Sequence, residues 1–309
     1  MNNILAIIII ALCVSYAHCY FYICACTYDT PIISGADVLA GGLDITQLAT
    51  TIERNFMSPI FEYTFTRNIC MQSILSTICF KIPDQLLPYE LDVTDTRSVQ
   101  NVYYASYQYV TTYASSFSSS TGFITPYYGA SYNYHKELYD SEYYLTSKYV
   151  NQGYGYYREY MYTMTMPPAY TLNTNYAFQT AMDKLPSTIK SESDNDMYNQ
   201  LIESYGTSYI VSVKMGGRFN LNQYVSEYLY QHYSDQWVVE QMGIQFRATM
   251  FNMEMGYYSN SSEYIVSEDY TYNSDVEIYC IGGNIQLECS SNEWMKSIAD
   301  YPGYLNLTY

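Results

Sequence analysis

The apolar positions of this chain change period several times, and each change predicts an element. The sharpest change falls between residues 191 and 217. Met197, Leu201, Ile202 and Tyr205 recur at helical spacing behind the acidic stretch SESDND, where Ser193 or Asp194 is placed to cap the first turn. Gly206 stands where a helix-ending glycine belongs. The period then drops to two. Tyr209, Val211, Val213 and Met215 alternate with Ser208, Ile210, Ser212 and Lys214, the pattern of a strand with one largely buried face. That strand runs into Gly216 and Gly217. A glycine pair inside a strand predicts a bend, a bulge or the close approach of a neighbouring element, because neither residue carries a Cβ atom.

Other segments are read in the same way. YYREYMYTMTMPPAY predicts an alternating strand stopped by Pro167 and Pro168, followed by a helix across Tyr176 to Leu185 that ends before Pro186. Ile60 to Phe65 reads as a strand, and the glycines of LAGGLD with Asp44 read as a turn. In MGIQFRATM the residues Met242, Ile244, Phe246, Ala248 and Met250 are apolar, while Gly243, Gln245, Arg247 and Thr249 are polar or small. That alternation suits a half-buried strand of a sheet. It also suits a membrane-crossing strand, which needs about 9–11 tilted residues. A weaker pattern lies upstream, where Tyr103, Ala105, Tyr107, Tyr109 and Tyr113 share a face opposite Ser106, Gln108 and Thr112. The Ser-rich SSFSSSTG at 115–122 is short and enclosed by aromatic segments, which counts against a domain boundary there.

The first 19 residues change the picture of where the chain goes. An apolar run from Ile4 to Val14, then small residues with Ala17 and Cys19 at acceptable cleavage positions, fits a secretory signal peptide over residues 1–19. Its n-region lacks Lys and Arg. Six cysteines remain downstream, Cys24, Cys26, Cys70, Cys79, Cys280 and Cys289, in keeping with an oxidising destination. Sequence does not choose among their pairings. Equal spacing favours two local bridges, Cys70 with Cys79 and Cys280 with Cys289, the latter flanking IGGNIQLE as a hairpin. The sequons at Asn260 and Asn306 are compatible with secretion.

Composition then excludes several functions. The net charge of −17 argues against nucleic acid and against electrostatic recruitment to anionic lipid. Only His135 and His232 lie beyond the signal, neither near a G-x-S-x-G or a zinc spacing, so no enzyme, metal or cofactor is expected. Acidic pairs such as Glu268 and Asp269 select nothing among 30 carboxylates. Forty-two tyrosines point to a β-rich fold, a membrane-interface surface or a cross-linkable coat.

NQLIESYGTSYIVSVKMGGRF resembles the signature region of the membrane attack complex/perforin (MACPF) family, with Tyr205, Gly206 and Thr207 in place and Ser208 where that signature has histidine. LAGGLDITQ, SPIFEYTF, YMYTMTMPPAY, TAMDKLPS, VEIYCIGGNI and NEWMKSIADYP resemble further family segments in the family's order, over about residues 35–305. The resemblance implies an α+β fold over residues 20–309. A bent, twisted four-stranded antiparallel sheet is flanked by two helical clusters, near Arg97 to Gly153 and Asn220 to Tyr272. It implies that Gly216 and Gly217 form a sheet bend or hinge. It also implies a secreted pore former that gathers into a homo-oligomeric ring or arc on a target lipid membrane and inserts amphipathic β-hairpins. With no C-terminal membrane-targeting module expected, a separate recognition partner is implied. The alternative is a non-lytic family member acting in adhesion or as a tyrosine-rich surface coat.

Overall fold

The computed structural model describes residues 21–44, 56–73, 76–99 and 149–308. The signal segment, the tyrosine face at 103–113 and His135 lie outside the described residues. The N-terminal part contains β1 (Phe21–Ile23), α1 (Ala36–Ala40), β2 (Gly41–Leu43), β3 (Phe56–Pro59), β4 (Ile69–Ser73), β5 (Phe80–Ile82) and the long β6 (Leu87–Val99). The middle contains β7 (Tyr149–Thr165), α2 (Tyr176–Asp183), α3 (Glu192–Tyr205), β8 (Ser208–Tyr209) and β9 (Ser212–Ser226). The C-terminal part contains α4 (Glu227–His232), α5 (Asp235–Met255), α6 (Glu268–Tyr272), β10 (Ser274–Ile281), α7 (Asn292–Ser297) and β11 (Gly303–Thr308).

The main sheet is antiparallel, in the order β10-β9-β7-β6, and β11 also pairs with β9. It therefore has five strands where four were expected. β9 changes its outer partner along its length: Ser212–Gly216 pair with β11, and Arg218–Val225 pair with β10. On one face of the sheet, Phe219 and Leu221 lie in register with Tyr157 and Gly155 on one side and with Cys280 and Ile278 on the other. This is the apolar face that carries the main core. On the opposite face Arg158 lies opposite Arg218, and Tyr156 opposite Asn220, all buried. Because both faces of β9 are buried, the strand continues as far as Ser226. The polar run from Asn220 was expected to open the second helical cluster. That cluster instead begins at Glu227, because Asn220, Asn222 and Gln223 are interior strand residues.

Local expectations are corrected at several points. The strand expected over Ile60 to Phe65 does not form: β3 lies just upstream, at Phe56–Pro59, and within 60–65 an isolated bridge joins Phe61 to Thr174. The Ile60 and Phe61 N–H groups both converge on the Ala40 carbonyl and the Glu62 N–H turns to Asn173, so regular pairing is not continued. The alternating run from Ser208 splits at Ile210 and Val211, because β8 pairs with β2 while β9 joins the main sheet. The cap of α3 is Ser191, whose side chain accepts from the Asp194 backbone N–H. The Asp194 carboxylate bonds back to the Ser191 N–H, giving a full capping box. The N-cap of that helix is therefore two or three residues earlier than the sequence suggested.

Three disulfides close the described chain: Cys24–Cys79, Cys26–Cys70 and Cys280–Cys289. The expected local bridge between Cys70 and Cys79 is replaced by two long-range ones. The reason is the small β1-β4-β5 sheet: β1 runs beside β4, with Ile23 opposite Met71, and so delivers Cys24 and Cys26 to Cys79 and Cys70. The segment IGGNIQLE is not a hairpin, since β10 ends at Ile281 and the chain turns into α7.

Candidate functional site

The segment between β9 and β10 is an excursion that leaves and returns at adjacent strand ends. The Ser226 N–H donates to the Asn273 carbonyl at 3.0 Å, closing its base. Within it α5 begins at an N-cap, Ser234, whose hydroxyl accepts from the Trp237 N–H. It ends at Gly256, which adopts the left-handed conformation at φ 76°. Val238, Met242, Phe246, Met250 and Met253 recur every three or four residues, and all are buried.

The stretch Met242 to Met250 is therefore helical here, not a strand of the sheet. Met242, Phe246 and Met250 take the buried stripe, Ile244 is also buried, Ala248 is half-buried, and Arg247 reaches solvent. One sequence carries both a helical stripe and a strict period of two.

The seat for this helix is cut into β7 by two glycines. A Cβ on Gly153 would stand 2.7 Å from the Met242 sulfur, and one on Gly155 would stand 2.3 Å from the Phe246 ring. Helix side chains thus occupy the space that strand side chains would fill. Polar contacts with Gln223, Ser267 and Asn292 hold the helix down. Gln223 of β9 donates to the Met242 carbonyl at 3.0 Å and accepts from the Tyr270 hydroxyl at 2.8 Å. Gln241 accepts from the Ser267 N–H at 2.8 Å. At the far end, Asn292 donates to the carbonyls of Met253 and Glu254, both at 2.7 Å. Burial, then the nearby Tyr230, pushes the Tyr270 phenol far above its ordinary range, so it remains a neutral donor.

A second feature lies where β9 exchanges partners. A Cβ on Gly216 would meet the Glu159 carbonyl oxygen at 2.0 Å, and one on Gly217 would meet Ile298 at 2.3 Å. Gly282, at φ 74°, lies against the Gly216 carbonyl and the Gly303 backbone. Trp294 donates its indole N–H to the Gly282 carbonyl at 3.0 Å, and the Cys280–Cys289 bridge closes the loop around this junction. Opposite the pair, the register between β7 and β9 shifts between Tyr160 and Tyr162, so a bulge on β7 accompanies the glycines. Sheet edge, loop and α7 converge on Gly216 and Gly217.

The signature residues lie apart from both features, on the β3-β2-β8 sheet. Gly206 ends α3 at φ 77°; a Cβ there would stand 2.5 Å from the Leu43 backbone, and one on Gly42 would stand 1.7 Å from the Tyr205 carbonyl oxygen. Thr207 donates its N–H to Leu43, and Ser208 pairs with Leu43. Tyr205 to Ser208 therefore form a splice between α3 and β2. Asn260 is exposed in the loop after α5, and Asn306 lies in β11. Glu268 and Asp269 open α6, where Asp269 accepts from the Tyr233 hydroxyl. His232 stacks on Tyr228 at 4.0 Å. Among the described residues no group of three or more His, Cys, Asp or Glu is placed to hold a metal, and no helix is long and apolar enough to cross a membrane. Sequence reading missed Gly153, Gly155, Gln223 and Asn292. The alternation of glycine with tyrosine in QGYGYY was the one signal that pointed to a seat.

A family model described as the MAC/Perforin domain matches residues 32–309. No curated protein matches the sequence. Among solved structures, GNIP1Aa from Chromobacterium piscinae superposes with a TM-score of 0.55 at 14% identity, over 91% of this chain and 51% of that one. Astrotactin-2, described as a conserved vertebrate-specific and perforin-like membrane protein involved in neuronal development, gives 0.47 at 13% identity over 91% of this chain and 41% of that one. A putative cell invasion protein with a MAC/Perforin domain from Bacteriodes thetaiotaomicron gives 0.41 at 12% identity over 94% of this chain and 60% of that one. The chain spans about half the length of the Chromobacterium protein.

Proposed function

This chain belongs to the MAC/perforin domain family, and on that premise we propose that it is a secreted pore-forming protein that acts by assembly and insertion, without catalysis. The observation that carries the reading is the stored helix. α5 is held on a glycine seat, its sequence alternates with the period of a membrane strand, and its segment joins the ends of neighbouring antiparallel strands. Released, residues 227–273 extend β9 and β10 as one hairpin, with Met242, Ile244, Phe246, Ala248 and Met250 on a single face. A hairpin in lipid leaves unpaired backbone at both edges, so many copies must close a barrel. Among the described residues the outer edges of β6 and β10 lie at opposite ends of the strand order and carry no further strand, which supports edge-to-edge gathering of copies into a ring or arc. Three disulfides fit an oxidising, extracellular setting. With a net charge of −17, the chain needs a membrane that is not strongly anionic or a separate recognition partner.

A second reading, a non-lytic adhesion or coat protein, is favoured by one observation: amide contacts tie α5 down at Met242, through Gln223, and at its C-terminal end, through Asn292. Dye release from liposomes of several compositions, imaged by negative stain in the same samples, separates the two. Leakage with rings or arcs, abolished by Ile244→Asp, is expected of the pore former. Intact vesicles on natural target cells and liposomes alike, from folded protein, would establish the non-lytic reading instead.

A further inference from the structure

We propose that Asn260 is an N-glycan acceptor, and that its glycan is a barrier to insertion of the second hairpin. The inference rests on the pore-forming reading given above and adds a control on it.

Asn260 opens the triplet Asn260-Ser261-Ser262, with no proline inside it. The structure places it four residues beyond the left-handed Gly256 that ends α5, in a loop where the Ser261 N–H donates to the Ser259 hydroxyl and the Tyr264 N–H donates to the Ser261 carbonyl. Residues 260–263 are all exposed. The Asn260 amide takes no hydrogen bond among the described residues, so nothing in the fold has to be broken to modify it. Asn306 is unlike it, since its backbone belongs to β11, opposite Lys214 of β9.

The modification is a group transfer. The Asn260 Nδ2 forms a bond to the anomeric carbon of an oligosaccharide carried on a polyprenyl diphosphate in the secretory route. The bond from that carbon to the diphosphate oxygen breaks, the diphosphate leaves with the electron pair, and the amide nitrogen gives up one proton.

The consequence follows from where Asn260 lies along residues 227–273. If Met242–Met250 is the rising strand, the chain turns at about Gly256 and Asn260 is already on the returning strand at membrane depth. If instead the excursion folds about its midpoint near Met250, Asn260 is about ten residues from the tip, still within the length that must enter or cross the hydrocarbon. Either arrangement carries the sugar into or through the bilayer. A glycan keeps its hydroxyls hydrated, and hydrocarbon offers no partner to replace the water stripped from each of them. The glycosylated chain therefore folds, is exported and docks, but its second hairpin stays out, so the leakage expected of the pore former comes from chains that carry no sugar at Asn260 or have lost it.

The test uses the full chain exported from a eukaryotic secretory host. Peptide mass analysis after enzymatic deglycosylation in heavy-oxygen water reads occupancy at Asn260. Liposome dye release is then compared for the glycosylated protein, the same folded protein after deglycosylation, and the Asn260→Gln and Ser262→Ala variants, with Asn306→Gln as the control for a glycan elsewhere. Occupancy at Asn260 with leakage rising at least about tenfold in Asn260→Gln and Ser262→Ala, less in the enzymatically deglycosylated protein, whose residue 260 is left as aspartate, and not in Asn306→Gln, is the expected result. An unoccupied Asn260 in exported protein overturns the proposal. Equal leakage with and without the glycan overturns the barrier alone, whereas leakage from none of the forms overturns the barrier and the pore-forming reading together.

Discussion

At the scale of single residues, the glycines divide into those that touch backbone and those that do not. A methyl group on Gly216 would be driven into the Glu159 carbonyl oxygen, which belongs to a paired strand and has nowhere to go. Gly216→Ala is expected to cost about 3 kcal/mol or more in chemical unfolding, or to prevent folding. Gly256, unlike Gly216, is at positive φ, and its Cβ would be 3.5 Å from Asn292. Gly256→Ala is expected to cost only about 1 kcal/mol, a backbone penalty without a clash. A carboxylate gives a different test. Asp84 accepts from the Thr66 and Thr64 hydroxyls and from the backbone N–H groups of Arg67 and Thr66, with the Thr66 hydroxyl contributing most, and these bonds hold its pKa at about 2. A native pKa below the unfolded value adds stability above the unfolded value and loses it as pH falls through the native one. The stability gap between the wild type and Asp84→Asn is therefore expected to be constant at neutral pH and to close between about pH 4 and pH 2, as read by urea unfolding at a series of pH values.

At the scale of elements, α5 is the unit that matters. Its two periodicities have different consequences. The helical stripe keeps it on the sheet now, and the period of two makes it serviceable as a strand when the helix is lost. Phe246→Ala empties the seat at Gly155 and is expected to destabilise the folded chain by about 3–5 kcal/mol. Gln223→Leu leaves the buried Tyr270 hydroxyl without its acceptor, a loss of about 1–3 kcal/mol. Hydrogen exchange is the informative measurement for both. Faster exchange confined to residues 235–255, with β7 and β9 still protected, identifies α5 as a separately opening unit; uniform acceleration would mean that helix and sheet open only together.

At the scale of the whole molecule, charge sets the terms of association. Each copy carries −17, so bringing edges together raises like charge against like. Salt shortens the reach of that repulsion, from about 30 Å at 0.01 M to about 8 Å at 0.15 M. Arc or ring formation on zwitterionic vesicles is expected to rise with ionic strength across that range. A fall would place an attractive charge contact between copies and would contradict edge association against a charge barrier. The three disulfides belong to this scale as well. Two staple the N-terminal sheet, and the third closes the loop over the glycine junction beside the edge strand β10.

The order of family segments fixed the family and the α+β class, because a run of weak matches in sequence order is specific where each alone is not. The helix–Gly206–strand switch and the proline stop after β7 were legible because caps, periodicity and proline act within a few residues. What acts across the sheet was not legible. Asn220, Asn222 and Gln223 read as the start of a surface segment, yet they are interior, since burial on either face of β9 is decided by what the fold brings against it, as α5 is brought against Gln223. The partners of Cys70 and Cys79 were decided by β1 lying beside β4, and spacing alone holds no record of that pairing. MGIQFRATM is the clearest case. Its alternation is real in the sequence, but whether it is a helix or a strand depends on two glycines in β7 and an amide in β9, contacts that exist only once the chain has folded.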